Sequence, residues 1–210
     1  MDKNLQQKYK ILKPLEPDEL NTEKIEFIQN LQFIGIQYKI NTINLKYNND
    51  DPNNDCKKIL IVGKKCSSIG FNEQTHNFSS KFEFKYRRLA LILNDTKLIE
   101  MFEKLDEFVI SSSIVNRDNW FNSPYTIGKC IEKFKPSLKR HENGYMILCN
   151  LDNKFVCKNE KKEFVDEKDL STILKNKTMD VLFEIKSVKI NEYEYYLRIN
   201  ILQCNILSLE

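Results

Sequence analysis

The sequence predicts a protein of the α+β class, mainly β: a small antiparallel β-barrel with two or three helical insertions. Apolar residues recur with a period of two over 36–47, 81–93 and 181–202, the pattern of half-buried strands. Between these lie two segments of helical spacing, each opened by a residue suited to cap it. The chain has 210 residues, 41% of them hydrophobic, with 13 Phe and 9 Tyr, which is enough for one core of ordinary size.

Residues 1–32 read as an N-terminal lead-in punctuated by Pro14 and Pro17, in which 18–31 is expected as a helix carrying Ile25, Ile28 and Leu31 on one side. The folded domain is expected over 33–210. Ile36, Tyr38 and Ile40 share one strand parity, and Ile43, Leu45 and Tyr47 share the other. A single strand accommodates that change with a bulge near Asn41-Thr42. A turn-rich loop over 48–55 leads to a short apolar strand at 58–63. Next, Phe82, Phe84 and Tyr86 alternate with Lys81, Glu83, Lys85 and Arg87, and the strand runs on to Leu93.

A helix follows, with Asn94, Asp95 or Thr96 as its cap and Leu98, Met101, Phe102, Leu105 and Val109 as its apolar stripe. A second, shorter helix is capped by Thr126, carries Ile127, Cys130, Ile131 and Phe134, and is stopped by Pro136. The loop between them, 116–125, holds the sole tryptophan. Strands at 145–151 and 154–157, about a turn at Asp152-Asn153, precede a helical segment at 170–174. In the closing hairpin Val181, Phe183 and Ile185 alternate with Glu184 and Lys186. After a turn near Asn191-Glu192, Tyr195, Leu197, Ile199 and Ile201 alternate with Tyr196, Arg198 and Asn200. The total is six or seven strands.

Several function classes are disfavoured at this level. No run approaches the roughly 18 apolar residues of a membrane span, and the first residues lack a signal-type apolar stretch, so the expectation is an intracellular protein with no membrane partner. The six cysteines are then reduced thiols, and neither they nor His76 and His141 show metal-ligand spacing. No phosphate-cradling or hydrolase motif is present, and five glycines leave little material for one. The enzymatic alternative is a metal-dependent nuclease using Glu184 and Lys186, with Asp166, Asp169 or Asp180 upstream. Charge pairs two apart are equally what a solvated strand face shows.

Nucleic-acid binding has the broader mark, lysines interleaved with rings. Residues 129–140 carry Lys129, Lys133, Lys135, Lys139 and Arg140 against Glu132, a local +4 in a chain whose net charge is +3, and they follow Trp120, Phe121 and Tyr125. Lys57, Lys58, Lys64 and Lys65 flank one strand, and Lys81, Lys85, Arg87 and Arg88 accompany another. Such lysines displace counterions from phosphates, while rings drawn from Trp120, Phe121, Tyr38, Tyr86, Tyr193 and Tyr196 stack on bases. The bland reading is that the rings are core and the lysines a solvated surface, as in an adaptor or structural protein.

Leu105-Asp106-Glu107-Phe108-Val109, Asn119-Trp120-Phe121, Ile127, Cys130-Ile131 and Phe134-Lys135-Pro136-Ser137-Leu138-Lys139 resemble a pattern in the single-stranded DNA-binding proteins of nucleocytoplasmic large DNA viruses. There an "LD" helix is followed by "WF", a short helix and "Y-x-P-x-L-K". Phe134 replaces the tyrosine, and the glycine usual soon after "WF" comes later, as Gly128. The hairpin 181–202 is similar to the family's last block, and the resemblance spans roughly residues 80–205. It implies an OB-like barrel that binds single-stranded DNA without sequence preference, in viral DNA replication, recombination or repair, with no cofactor. It also implies a place in the host cytoplasm or at a viral replication site. RNA is the alternative ligand, and a second copy of the chain or replication proteins are further partners left open. The expected nucleic-acid-binding residues are Trp120, Phe121, Tyr125, Lys129, Lys133, Lys135, Lys139, Arg140, Lys64, Lys65, Tyr86, Arg87, Arg88 and Arg198.

Overall fold

A computed structural model describes residues 14–34, 38–48, 58–79, 82–121 and 125–208. Cys56, Lys57, Lys81 and the greater part of the 48–55 loop lie outside the described residues, as do the side chains of Tyr38, His76, Phe82, Phe84 and Lys85. Among the described residues there are eight strands: β1 (Ile25–Ile34), β2 (Tyr38–Tyr47), β3 (Ile59–Ser79), β4 (Phe82–Leu93), β5 (Leu138–His141), β6 (Gly144–Lys158), β7 (Thr178–Ile190) and β8 (Tyr195–Ile206). The helices are α1 (Thr96–Val115), α2 (Arg117–Trp120), α3 (Ile127–Lys133) and α4 (Leu170–Ile173).

The strand pairings make a complete circuit. β3 pairs with β4, β4 with β6, β6 with β8, β8 with β7, and β7 again with β3. All links are antiparallel except β6–β8, which is parallel. This five-strand circuit is the arrangement of an OB-like fold, mainly antiparallel as the sequence predicts, with one parallel seam. Inward residues alternate along each strand: Leu89, Leu91 and Leu93 on β4, Ile147 and Cys149 on β6, Val181, Phe183 and Ile185 on β7, and Ile199 and Ile201 on β8 are all buried. α1 completes the core with Leu98, Met101, Phe102, Leu105 and Val109, the stripe read from the sequence. Its N-cap is Asp95, whose carboxylate accepts from the Lys97 N–H at 3.0 Å. Phe102 meets Phe183 edge to face at 5.7 Å. Gly63 permits this packing, because a Cβ there would stand 2.5 Å from the Phe183 ring.

Several expectations are corrected. The helix at 18–31 is instead two 3-10 turns, Pro17–Glu19 and Thr22–Lys24, followed by β1. Ile25, Ile28 and Leu31 have helical spacing, but β1 finds ten partners on β2, from Ile25↔Tyr47 to Ile34↔Tyr38, and non-local pairing overrides weak local propensity. The lead-in therefore joins the sheet, and Leu15 also bridges to β3, with its N–H donating to Leu60 at 2.8 Å. No bulge occurs at Asn41-Thr42, because the β1–β2 ladder runs through both residues unbroken. β2 lies outside the circuit and need not coil. The register shifts fall on circuit strands, at Gly63/Cys66 and Ser68/Gly70 on β3 and at Ile185/Ser187 on β7. Residues 144–158 form one strand where two were expected. α3 starts at the predicted Thr126 cap, yet Ile127 and Ile131 face solvent and Cys130 and Phe134 are buried.

Candidate nucleic-acid interface

Because Leu89 and Leu91 point into the core, Tyr86 and Arg88 point out from β4; by the same alternation Met146, Leu148 and Asn150 point out from β6. The two strands are in register there, Arg88 opposite Asn150 and Ala90 opposite Leu148. Two walls rise from this floor. One is the segment joining α3 to β5 with the start of β5, which supplies Lys135, Pro136, Ser137 and Lys139; the other is the β7–β8 turn with the start of β8, which supplies Glu194 and Tyr196. The groove between them encloses about 370 Å³. In OB-folds the face of the second and third barrel strands, with the loops beside it, is where oligonucleotides bind; here those strands are β4 and β6.

Rings and cations converge in the groove. The Arg88 guanidinium lies 4.5 Å from the Tyr86 ring centre and donates to its hydroxyl at 2.7 Å. Lys135 Nζ is 5.7 Å from the Tyr196 ring centre and 3.1 Å from Glu194 Oε1. Burial pushes the Tyr196 phenol above its usual range, with Tyr86 and Glu194 adding to the shift and Arg88 and Lys135 opposing it. Arg88, Lys135 and Lys139 against Glu194 leave the lining cationic. Leu148, 51% exposed, gives the floor an apolar spot against which a base can lie.

The wall carrying Lys135 and Lys139 is held from behind. Asp106 on α1 accepts from the Ser137 N–H at 2.7 Å and from the Ser137 hydroxyl at 2.6 Å, and the Lys135 N–H donates to the Tyr195 carbonyl at 2.9 Å. Burial raises the Asp106 carboxyl to about 6, against the lowering effect of both Ser137 bonds. Two pieces of the sequence pattern, Leu105-Asp106 and Pro136-Ser137, thus meet each other and position the groove.

Of the expected residues, Tyr86, Arg88, Lys135 and Lys139 line the groove, with Tyr196. Trp120, Phe121 and Tyr125 do not: they are 3%, 7% and 9% exposed. Trp120 packs on Phe27 at 5.0 Å, and Phe121 stacks on Tyr125 at 4.2 Å and meets Tyr195 at 5.3 Å. Their faces are filled by the core, so none of the three rings lies open to a base. Lys129 covers the Tyr125 ring at 4.4 Å, Lys133 is half-buried on α3, and Arg140 is exposed on β5 at the parity opposite to Lys139. Arg87 turns to the other side of β4 and pairs with Glu167 at 3.0 Å, its side chain 10% exposed. Lys64 pairs with Glu16 at 3.0 Å. Lys65 sits in the β3 bulge at φ 51, its N–H donating to Asp180. Neither Lys64 nor Lys65 lines the groove. Arg198 is on the outer side of β8, beyond Tyr196, and Tyr193 is exposed on the β7–β8 turn. Met146, Leu148 and Asn150 are absent from the expected set, although the alternation over 145–151 already sets them apart from the inward residues.

Glu184 is 3% exposed. Lys58 Nζ lies 2.7 Å from one oxygen, and Asn200 Nδ2 donates to the other at 3.3 Å. Asn200 also reaches Asp152 at 3.4 Å, and Lys186 stands 3.9 Å from Asp152. Glu184 is therefore neutralised by a lysine. Among the described residues no group of three or more His, Cys, Asp or Glu is placed to hold a metal ion. No helix among them is long and apolar enough to cross a membrane.

No protein-family model and no curated protein matches the sequence. Solved structures with a similar chain path include the single-stranded DNA-binding protein of bacteriophage Enc34 in complex with single-stranded DNA, at TM-score 0.43 and 8% identity, covering 88% of this chain and 97% of that one. A C-terminal truncation of the phage protein gives 0.44 and 8%, covering 87% and 96%. A further structure of the phage protein gives 0.44 and 8%, covering 88% and 91%.

Proposed function

We propose that the chain binds single-stranded DNA without sequence preference, through the β4–β6 groove and without catalysis or cofactor. The observation that carries this reading is the meeting of Tyr86 and Tyr196 with Arg88 and Lys135 on the face that OB-like folds offer to oligonucleotides. Two rings supply stacking that tolerates any base, and the flanking cations supply charge for the backbone. In line with the viral-family resemblance, we place this activity in viral DNA replication, recombination or repair, with replication proteins or a second copy as partners.

Fluorescence anisotropy of a labelled poly-dT of about 30 nucleotides, against matched duplex and single-stranded RNA at two salt concentrations, tests the proposal. Preference for the DNA strand, weakening steeply between about 50 and 200 mM salt, is the expected result. Retention of no oligonucleotide at the lower salt overturns it and leaves the adaptor reading. Shortening of the strand when magnesium or manganese is added would instead make the protein a nuclease.

A further inference from the structure

On β8 the groove is bounded by Tyr196, Leu197 and Ile199, and the outward surface at Tyr196 continues across the next strands. We propose that a strand held in the groove crosses β8 onto β7, where Lys189 and Arg198, with Lys186 beside them, form a site for a backbone phosphate. This inference rests on the groove reading.

Register places the site. Tyr195, Leu197 and Ile199 are buried, so Tyr196 and Arg198 point outward. Tyr196 pairs with Lys189, and Lys189 in turn with Thr42 on β2; Arg198 pairs with Ser187, which pairs with Asn44. Lys189 therefore lies directly across from the groove tyrosine, one strand further on. Arg198 is two residues along from that tyrosine, about 6.7 Å. Lys186 is the extra residue of the β7 bulge between Ile185 and Ser187.

The charges there are arranged for a ligand the chain does not supply. Lys189 Nζ is steadied by the Thr42 hydroxyl at 2.7 Å. Among the described residues neither Lys189 nor Arg198 pairs with a carboxylate, and Lys186 stands 3.9 Å from Asp152. Burial holds the Lys189 ammonium below its usual range, and the neighbouring Arg198 and Lys186 charges lower it further. Crowding like charges on adjacent strands is unfavourable, and an anion seated between them reverses the sign of the interaction. A guanidinium fork beside an ammonium suits phosphate oxygens. With a base on the Tyr196 ring, the adjoining phosphate falls within reach of these groups.

The full-length chain with Lys189→Gln and Arg198→Gln together, and with Arg198→Gln alone as the milder change, is titrated with labelled dT30 from 50 to 200 mM salt. In parallel the Arg198 side-chain N–H is followed by NMR while inorganic pyrophosphate is added to the unaltered protein. The expected result is dT30 binding about ten-fold weaker in the double variant at the lower salt. Its salt slope falls by about 0.7 for each phosphate that is no longer neutralised, and pyrophosphate shifts the Arg198 signal. If both variants keep the original affinity and slope, the phosphate site is overturned and the groove reading stands. If the unaltered protein ignores dT30 while pyrophosphate moves Arg198, the groove reading fails and the cluster is an anion site off any single-strand path, which overturns the proposal for a different reason. If neither probe binds, both fall.

Discussion

Tyr195 and Tyr196 are neighbours on one strand with opposite employment. Tyr195 is fully buried; its ring meets Phe121 and Phe134, and its hydroxyl donates to the Cys130 carbonyl at 2.7 Å while sharing a bond with the Ser113 hydroxyl at 2.8 Å. Burial pushes its phenol up to about 12. Tyr196 looks the other way, into a cationic groove with Tyr86, Lys135 and Arg88. The same residue type is thus divided between structure and binding by strand parity alone. Behind the sheet the rings Phe121, Tyr125, Phe134 and Tyr195 pack among themselves and Trp120 packs on Phe27; in front, rings lie beside cations.

The largest effects belong to the rear. Tyr195→Ala removes a buried ring and a hydroxyl with two partners, and denaturant unfolding should show a loss of about 3–5 kcal/mol. Tyr195→Phe keeps the ring and strands the polar partners, for about 1–3 kcal/mol. Should Tyr195→Phe instead abolish DNA binding with stability intact, the division between front and rear would collapse.

Asp106 sharpens the comparison, because it is a rear residue that shapes the front. Its carboxyl is raised to about 6 from 3.8, so between those values the folded chain holds a proton that the unfolded chain has released. The stability this contributes is present below about pH 4 and is lost as pH rises through about 6, a change of roughly 3 kcal/mol. Asp106→Asn does not titrate, so the unfolding free energy of the original protein relative to the variant should fall over that window and be flat above it. Denaturant melts at pH 4, 5, 6 and 7 read this directly. A pH-independent difference would mean that the Ser137 bonds outweigh burial.

At the front, Tyr196→Ala and Tyr86→Ala should each weaken dT30 binding by about 1–3 kcal/mol. Both side chains are partly solvated, so unfolding free energy should change by less than about 1 kcal/mol. Anisotropy and denaturation on the same samples separate the two quantities, and a stability loss matching that of Tyr195→Ala would return Tyr196 to the core.

How much of this is legible in the sequence follows from the range of the forces involved. α1 and the β7–β8 hairpin are readable because their burial is periodic, and Tyr86, Arg88, Lys135 and Lys139 because charge beside a ring is a local feature. β1 reads wrongly as a helix because Ile25, Ile28 and Leu31 satisfy helical spacing; what decides the matter is a ladder to β2 set by residues 38–47. Leu148 and Asn150 look like any outward strand positions until β4 and β8 come to flank β6. Trp120 has the composition of a binding ring, and only the docking of β1 against α1 shows what covers it.

That covering gives the smallest expected effect. The Trp120 ring is 3% exposed, lies 5.0 Å from Phe27, which itself stacks on Phe108 at 5.2 Å, and is bounded by a bond from the Gln29 amide to the Asn119 carbonyl at 2.7 Å. A base cannot reach it without parting β1 from α1. Saturating dT30 should therefore leave tryptophan emission unchanged in intensity and position while the anisotropy of the same sample rises. Strong quenching in step with binding would require either a DNA path over β1 or an opening of the aromatic core, and the separation of structural from binding rings would have to be redrawn from Trp120 outward.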